Sequence, residues 1–226
     1  MASDFVKFPT TPHLLWLGTT AARTDKVLSC EEAEAFLRQP VIVEEKVDGA
    51  NLGISFDSSG KLLAQNRGNF LVRETKDQFA PLWEWLSERE ERLFDMLEDH
   101  FILFGEWCYA RHSIHYTRLP DLFLAFDVFD KPARRFLNTI CRDQLIQSAK
   151  LSTVPRVTTG VFQLAEVSHL IGESSLYDGP MEGVYLRLED DSWLNQRAKI
   201  VCSEFTQQIS EHWSQRCLVK NRRVHL

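Results

Sequence analysis

The sequence lacks the features that mark membrane, secreted and zinc-binding proteins. No apolar run is long enough to cross a membrane, and the N-terminus MASDF has no basic segment followed by an apolar stretch. The five cysteines are scattered and form no CxxC pair, which predicts neither a disulfide framework nor a zinc site. We therefore expect an intracellular protein without a membrane partner, located in the cytoplasm or alternatively in the nucleus.

Positive charge is also scarce. The chain has 26 Lys and Arg residues against 32 Asp and Glu residues, which gives a net charge of −6. Proteins bind polynucleotides largely through cations that face the phosphates, so this balance argues against a surface that is basic throughout. A local basic groove is still compatible with it, and Arg111, Arg118 and the run KNRR at 220–223 are candidates for one.

Glycine-rich phosphate-binding loops are absent as well. Neither GxxxxGK(S/T) nor GxGxxG occurs, so a nucleotide is not expected to sit on a helix N-terminus. Internal repeats and linkers rich in Pro, Gly or Ser are also missing, and residues 1–226 are therefore interpreted as one domain. Fifteen Phe and six Trp residues provide enough apolar volume for a sizeable core.

Apolar periodicity and turn residues predict a series of short strands and helices. Ser29 and Glu32 have the spacing of a capping box, which predicts a helix that runs to about Arg38. One long helix is predicted from Phe79 to about His100, because leucine recurs there at helical spacing. Strands are predicted at 40–47, 52–56, 61–65, 101–109, 122–129, 181–188 and 198–202, and further helices at 143–150, 164–171 and 204–213. Hairpin-like connections predict an α+β fold with antiparallel sheets rather than a doubly wound α/β sheet.

Single charged residues interrupt several of the apolar strands. Lys46, Glu106, Glu182 and Lys199 each lie in such a strand. A charge buried without a partner is costly, and mutual pairing in one polar cleft would remove that cost for the whole set. Arg197 and Lys199 are two residues apart, so they should face the same side of their strand.

The segment EKVDGAN at 45–51 carries the strongest functional signal. A lysine at the end of an apolar strand is followed by a carboxylate, a glycine and an amide. Alone, this pattern is also typical of a surface lysine before an Asp-Gly turn. The functional interpretation gains weight from five further segments that follow in order: RG at 67–68, FGEW at 104–107, LFLAFDVF at 122–129, EGVY at 182–185 and RAKIV at 197–201.

In this order the segments resemble the motifs of the covalent nucleotidyltransferases, the superfamily of ATP-dependent RNA ligases, DNA ligases and mRNA capping enzymes. EKVDGAN resembles the nucleophile motif KxDG, and Asn51, five residues after Lys46, is the form typical of RNA ligases. The stretch RHSIHY at 111–116 followed by LPD at 119–121 is also similar to small RNA-ligase-like proteins. The matches extend from about residue 45 to residue 205. The resemblance implies a nucleotidyltransferase domain with a ligand cleft between antiparallel sheets.

The resemblance also implies a role for each matched residue. The implied catalytic residues are Lys46, which attacks ATP and carries AMP, together with Lys199 and Arg197, which stabilise charge on the phosphates. The implied ATP-binding residues are Glu45, Lys46, Asn51, Arg67, Glu106 on the ribose, Phe126 on the base, and Lys199. Glu182 and Asp48 are implied ligands of Mg²⁺ or Mn²⁺, and Arg111 and His112 are candidate RNA contacts. The implied reaction transfers AMP to an RNA 5′-phosphate, which a 3′-hydroxyl then joins.

Attack on ATP requires Lys46 as a neutral amine. An ordinary lysine, with a pKa of about 10.4, is less than roughly 0.1% neutral at pH 7. Arg197 and Lys199 are expected to lower the pKa of Lys46, whereas Glu182 and Asp48 are expected to raise it. A divalent cation that neutralises the acids is therefore expected to be needed.

Two alternatives to an RNA ligase follow from the same motifs. Only residues 200–226 follow Lys199, too few for the OB-fold domain of DNA ligases and capping enzymes, so a DNA ligase and a GTP-dependent capping guanylyltransferase are less favoured. The domain alone, or a protein partner, is then expected to hold the RNA. The other alternative is a non-catalytic nucleotide- or RNA-binding module. It would not need to retain Lys46 together with Glu106, Glu182 and Lys199.

Overall fold

Two β-sheets form the frame of the computed structural model, which describes residues 5–18, 26–74, 77–203, 205 and 218–224. The strands are β1 Val41–Glu45, β2 Ala50–Phe56, β3 Leu62–Gln65, β4 Phe101–Trp107, β5 Phe123–Asp130, β6 Arg135–Phe136, β7 Ser152–Thr153, β8 Arg156–Gly160, β9 Gly183–Glu189 and β10 Leu194–Val201. The first sheet has the order β10-β9-β1-β8. The second has the order β3-β2-β4-β5-β6, and β7 joins β5 in parallel. All other strand pairs are antiparallel, which confirms the predicted fold class.

Four α-helices accompany the sheets within the described residues: α1 Cys30–Leu37, α2 Leu82–Ser87, α3 Glu90–Leu97 and α4 Thr139–Ser148. The first begins and ends as predicted. Ser29 Oγ accepts a hydrogen bond from the Glu32 amide at 3.2 Å, and the Glu32 carboxylate accepts one from the Ser29 amide at 2.8 Å. This reciprocal pair is the capping box that the sequence predicts.

The single helix predicted from 79 to about 100 is wrong, because α2 and α3 are separate. Arg89 leaves the helical conformation at φ −122° and ψ 0°. Its guanidinium donates to the Trp85 carbonyl at 3.1 Å and to the Asp121 carboxylate at 3.3 Å, and it lies 4.5 Å from the centroid of the Trp85 ring. The helical spacing was nevertheless correct, since the four leucines that define it are all buried: Leu82, Leu86, Leu93 and Leu97.

Several other element boundaries differ from the sequence prediction. Helix α4 begins earlier than 143, because Asn138 caps it by accepting a hydrogen bond from the Cys141 amide at 2.8 Å. The segment 164–171 holds only a 3₁₀ turn at Val167–Leu170. Strands β6, β7 and β8 were not predicted. The helix predicted at 204–213 falls almost entirely outside the described residues. Among the described helices, none combines the length and apolarity of a membrane span.

Each sheet packs against its own helices. The second sheet packs against α2 and α3, and the core between them is rich in aromatic residues. In this core the Trp85 ring centroid lies 5.8 Å from that of Trp107 and 5.4 Å from that of Phe123. The first sheet packs against α1 through a mainly aliphatic core that includes Phe36 and Val43. Strands β1 and β2 are consecutive in the chain but belong to different sheets. Residues 46–49 therefore form the connection that crosses from one sheet to the other.

A buried ion network holds the two sheets together. Arg142 of α4 donates to Glu44 of β1 at 3.1 and 2.6 Å, and Arg187 of β9 donates to Glu44 at 3.3 Å and also pairs with Asp127 of β5. All four side chains are 1% exposed or less. Both guanidinium groups also donate to the Phe126 carbonyl, at 2.7 and 3.2 Å. The network therefore ties β5 to β1 and β9.

Candidate active site

A cleft lies where the connection 46–49 crosses between the sheets. Its lining comprises Phe8, Thr10, Thr11, Glu44, Glu45, Lys46, Val47, Arg67, Glu106, Phe126, Val154, Tyr185 and Lys199. Six of the seven predicted ATP-binding residues are in this set. The seventh, Asn51, lies beside the cleft on β2, directly opposite Glu106 of β4.

Lys46 and Glu182 are in direct contact in this cleft. The Lys46 amide donates to the Gly183 carbonyl at 3.0 Å, which attaches the end of β1 to the start of β9. The Lys46 Nζ atom then forms an ion pair with the Glu182 carboxylate, and the two side chains are 26% and 13% exposed. The predicted nucleophile and a predicted metal ligand, 136 residues apart in the chain, are therefore neighbours.

The acids around Lys46 control its protonation. Burial acts to lower the pKa of Lys46, but the charges of Glu182, Asp48 and Glu106 more than offset it, so the pKa is raised above its ordinary value. The protein's own groups therefore raise the pKa of Lys46, whereas attack on ATP requires it to be lowered. The predicted raising of the pKa by Glu182 and Asp48 is present, and neither Arg197 nor Lys199 is among the main charges that act on Lys46.

Two carboxyl groups near Lys46 have pKa values raised towards neutral pH. Burial raises the pKa of Glu182 to about 7, although the nearby Lys46 ammonium opposes the shift. Burial likewise raises the pKa of Glu106 to about 7, against the opposing charges of Lys46 and Arg67. Glu106 also accepts a hydrogen bond from the Gly49 amide at 3.1 Å, which connects it to the crossing segment. Both groups can therefore change charge in the physiological range.

Asp48 is fixed by the loop that follows β4. Its Oδ2 atom accepts hydrogen bonds from the amides of Ser113 and Ile114 at 2.6 and 3.2 Å, and its own amide donates to the Tyr116 hydroxyl at 2.9 Å. No cluster of three His, Cys, Asp or Glu residues suited to a metal occurs in the described part of the chain. Asp48 and Glu182 provide oxygen donors, which suit Mg²⁺ or Mn²⁺ held partly by substrate phosphates rather than by protein alone.

Two glycines allow the close backbone approaches at the site. A Cβ atom on Gly49 would lie 2.7 Å from the Trp107 carbonyl oxygen. A Cβ atom on Gly183 would lie 2.0 Å from the Ile200 carbonyl oxygen. Distances below 3.0 Å exclude a side chain unless the backbone moves, so glycine is required at both positions.

Several buried polar atoms beside the cleft have no hydrogen-bond partner among the described residues. These are Glu45 Oε2 and both side-chain polar atoms of Asn51. The other Glu45 oxygen accepts from the Ser174 hydroxyl at 2.5 Å, and burial raises the pKa of Glu45. An unsatisfied buried polar group costs about 1–3 kcal/mol in stability. Several such groups together are therefore expected where a bound ligand supplies their hydrogen-bond partners. Both residues were predicted to bind ATP.

Arg197 has different neighbours from Lys199, although both lie on β10. Arg197 donates to the buried Asp127 at 3.1 Å, and its guanidinium lies 4.1 Å from the centroid of the Phe136 ring. It is absent from the described lining of the cleft, whereas Lys199 is part of it. The predicted contact of Arg197 with phosphate stays a prediction. In the structure its guanidinium instead packs against the ring of Phe8, which lines the cleft.

The two predicted RNA contacts lie on the loop that holds Asp48. The His112 ring forms a hydrogen bond with the Gln78 side chain at 2.8 Å. Burial lowers the pKa of His112, with a smaller contribution from Lys46 in the same direction and an opposing one from Asp48. Arg111 is exposed, and its amide donates to the Val219 carbonyl at 2.8 Å. Their contact with RNA stays a prediction.

An N-terminal segment supplies cleft residues that the sequence reasoning missed. The Lys199 amide donates to the Pro12 carbonyl at 2.9 Å, which attaches this segment to β10. Thr11 then reaches the Tyr185 hydroxyl at 3.2 Å, and Phe8 packs against Phe126 with ring centroids 5.3 Å apart. Tyr185 lies within the EGVY motif, so its position could have been inferred, but the irregular N-terminal segment has no periodicity that would reveal it.

Comparison with known proteins agrees with this architecture. The RNA ligase family model matches residues 39–201. No curated protein matches the sequence. A Naegleria gruberi RNA ligase variant solved with ATP and Mn has a TM-score of 0.67 at 16% identity, covering 92% of this chain and 59% of that one. A variant of the same ligase solved with AMP and Mn gives 0.64 at 13% identity, with the same coverage.

The two kinds of similarity support different conclusions. At such low identity the likeness to the Naegleria gruberi ligase shows a shared fold, and this chain spans about three fifths of that ligase, 59% of its length. The family match is independent of this likeness and covers more than half of the sequence, including every motif from Lys46 to Lys199. The chain belongs to the RNA ligase family.

Proposed function

We propose that the chain is an ATP-dependent RNA ligase that carries AMP on Lys46, transfers it to an RNA 5′-phosphate and seals that end to a 3′-hydroxyl. The observation that carries the proposal is the position of Lys46 in the cleft, paired with Glu182 and accompanied by Glu106, Arg67 and Lys199. The family match and the shared fold with a ligase solved with ATP and Mn support it.

The first step requires Lys46 to lose a proton. Its Nζ is hydrogen-bonded to Glu182, and the charges of Glu182, Asp48 and Glu106 favour the ammonium, so the proton would be lost once a bound cation neutralises those charges. The neutral amine then attacks the α-phosphorus of ATP. The N–P bond forms while the bond from this phosphorus to the bridging oxygen of the β-phosphate breaks, and pyrophosphate leaves. Lys199, which lines the cleft, would stabilise the charge on the phosphate oxygens.

The cleft offers complementary groups to the rest of the nucleotide. Phe126 provides an aromatic face for the adenine, and Glu106 provides an acceptor for the ribose hydroxyls. Asn51 and Glu45 have buried polar atoms that are unpaired within the described residues, and ATP would satisfy them. Arg67 would bind a phosphate or the ribose. Each of these contacts is an assignment that the resemblance first suggested and that the arrangement of the cleft supports.

A divalent cation belongs to the proposal. Glu182 and Asp48 would hold it together with the triphosphate, and when bound it neutralises charge on the acids and phosphates. Removing negative charge from around Lys46 lowers the pKa of the amine, because Glu182 and Asp48 are the charges that raise it. Mg²⁺ and Mn²⁺ both suit these oxygen donors.

Two further transfers complete the reaction. An oxygen of the RNA 5′-phosphate attacks the phosphorus of the adduct, which releases Lys46 and leaves the RNA activated with AMP. A 3′-hydroxyl then attacks the RNA phosphorus, forms the phosphodiester bond and releases AMP. We propose that the surface of this domain, or a protein partner, holds the RNA.

Labelling with radioactive nucleotide tests the first step. The protein is incubated with Mg²⁺ or Mn²⁺ and either ATP or GTP labelled at the α-phosphate, and a denaturing gel shows whether label stays on the protein. We expect label from ATP. Label from GTP alone would favour a capping enzyme, and no label from either would favour a binding module.

Variants assign the nucleophile and the substrate. Lys46→Ala should take up no label, whereas Lys61→Ala, which changes an exposed lysine outside the cleft, should label like the wild type. An adduct that persists in Lys46→Ala contradicts the assignment of Lys46. A chase with nicked RNA, nicked DNA or single-stranded RNA then identifies the acceptor, and preferential joining of DNA contradicts the RNA assignment.

A further inference from the structure

A C-terminal strap, residues 218–224, is attached to the loop that holds Asp48. We call residues 109–118 the motif loop. The backbone of the strap forms the attachment: the Arg111 amide donates to the Val219 carbonyl at 2.8 Å, and the Arg222 amide donates to the Tyr116 carbonyl at 2.9 Å. Isolated bridges connect Ala110 with Lys220 and Leu119 with Arg223. Because backbone atoms attach the strap to the motif loop, the side chains of Lys220, Arg222 and Arg223 are not needed for the attachment.

Asn221 fixes the strap in its position. This side chain is 7% exposed and accepts a hydrogen bond from the Tyr116 amide at 2.9 Å. Its amide group donates to the carbonyls of Cys108 and Ala110 at 2.9 and 3.1 Å. Since a buried amide with three partners strongly restricts its backbone, the neighbouring basic residues are presented on an ordered surface rather than on a loose end.

The strap and the motif loop concentrate the positive charge of an acidic protein. Together they contain five of the 26 Lys and Arg residues and none of the 32 Asp and Glu residues. These five, all exposed, are Arg111, Arg118, Lys220, Arg222 and Arg223. Arg118 pairs with Asp178, and Arg223 lies 3.8 Å from Asp121. Within the described residues, no acidic side chain pairs with the other three. A net positive surface results.

This basic surface adjoins the candidate active site. The same motif loop that carries Arg111 donates the amides of Ser113 and Ile114 to Asp48, two residues after Lys46 in the connection between the sheets. A phosphate chain on this surface would therefore have one end beside the predicted nucleophile.

We propose that the C-terminal strap and the motif loop bind the phosphate backbone of the RNA strand whose 5′-phosphate receives AMP, with Arg111, Lys220, Arg222 and Arg223 facing the phosphates. The inference rests on the proposed ligase function and adds the surface that holds the acceptor. The strap lies outside residues 39–201, which match the family, whereas the motif loop lies within them. Cations facing phosphates provide most of the sequence-independent affinity for a polynucleotide.

The double variant Arg222→Gln and Arg223→Gln tests the surface without changing the backbone hydrogen bonds of the strap. Affinity is measured by fluorescence anisotropy with a labelled single-stranded RNA that has a 5′-phosphate, over a series of salt concentrations. Loss of two phosphate contacts should weaken binding about tenfold at low salt and reduce the slope of log affinity against log salt by about 1.4. Labelling of Lys46 by ATP, which needs no RNA, should be retained.

Arg134→Gln with Arg135→Gln is the matched control, because these adjacent arginines are both exposed and carry the same charge; Arg134 ends the β5–β6 turn and Arg135 begins β6. It should bind RNA like the wild type. An equal loss of affinity in both double variants, or an unchanged salt slope in the strap variant, overturns the proposed surface. A wild-type protein that binds RNA with the expected slope but takes no label would instead contradict the ligase proposal and leave the surface standing.

Discussion

At the scale of single residues, the charge of Lys46 limits the proposed chemistry. Burial favours the neutral amine, yet Glu182, Asp48 and Glu106 keep it protonated in the ligand-free protein. The same burial raises the pKa of Glu182 to about 7, so the lysine and the carboxyl compete for one proton. A protein of this kind can store an unreactive lysine until a bound substrate or metal changes the surrounding charge.

This competition predicts how the rate of Lys46 labelling depends on pH. A raised pKa keeps the amine protonated to higher pH, so the single-turnover rate at ATP concentrations well below saturation, which follows the protonation of the free enzyme, should increase with pH from 6 to 9, by up to about tenfold per unit. In Glu182→Gln the largest charge that stabilises the ammonium is gone. The labelling rate of Glu182→Gln should be lower than that of the wild type, and its increase with pH should lie at lower pH.

Glu173→Gln serves as the control, because Glu173 is exposed and takes no part in the cleft. Its pH profile should coincide with that of the wild type. A Glu182→Gln profile that is lower than the wild-type profile but parallel to it would mean that Glu182 does not set the protonation of Lys46.

Sequence reasoning identified the charged residues of the cleft better than its uncharged ones. Lys46 and Glu106 were found because a lone charge in an apolar strand requires a partner, and the structure supplies one nearby. Thr11 and Phe8 had no such signal, since their position depends on a backbone pairing with Lys199 far along the chain. Arg197 was expected beside Lys199 at the phosphates, whereas in the structure its guanidinium donates to Asp127, a carboxylate of another strand.

At the scale of elements, periodicity predicted which residues are buried more reliably than where an element stops. The leucines of α2 and α3 all face the core as expected. At the break between the helices, Arg89 donates to Asp121, which comes from a distant part of the sequence. Strand β8 escaped prediction because it is a short edge strand with mixed burial, and alternation is weak in such strands.

The start of β9 gives a prediction about backbone packing. Gly183→Ala would place a Cβ atom 2.0 Å from the Ile200 carbonyl oxygen of β10, so the strands must separate next to Glu182. We expect a loss of about 2 kcal/mol or more in the free energy of unfolding, together with slower labelling of Lys46. Urea denaturation measures the first effect and the radioactive gel the second.

Gly172→Ala is the matched substitution, because a Cβ atom there meets nothing within 4 Å. It should leave both measurements near wild type or stabilise the protein slightly, since alanine restricts the unfolded chain. Equal losses in the two variants would contradict the idea that contact between β9 and β10 is what requires glycine at 183.

At the scale of the whole molecule, the relative position of the two sheets decides whether a cleft exists. Lys46 directly follows β1 of the first sheet, whereas Glu106 and Phe126 belong to strands of the second. The order of the motifs along the chain does not specify this arrangement. The ion network of Glu44, Arg142, Arg187 and Asp127 connects the two sheets, and its partners are 60 to 143 residues apart, beyond what local patterns predict.

Arg142→Met tests whether this network maintains the cleft. The variant removes a fully buried guanidinium and leaves Glu44 with only part of its compensation, and breaking a buried pair in this way costs about 3–5 kcal/mol. Arg156→Met removes an arginine that shares Asp143 with Arg142 but is half-exposed, so it should cost less than about 1 kcal/mol. Urea denaturation compares the free energies of unfolding of the two variants.

Arg142 also donates a hydrogen bond to the Phe126 carbonyl. Its loss should therefore raise the ATP concentration needed for labelling, under conditions where the variant is still folded. If Arg142→Met is as stable as Arg156→Met, the two sheets are held together by their apolar contacts, and the network serves only to satisfy its own charges.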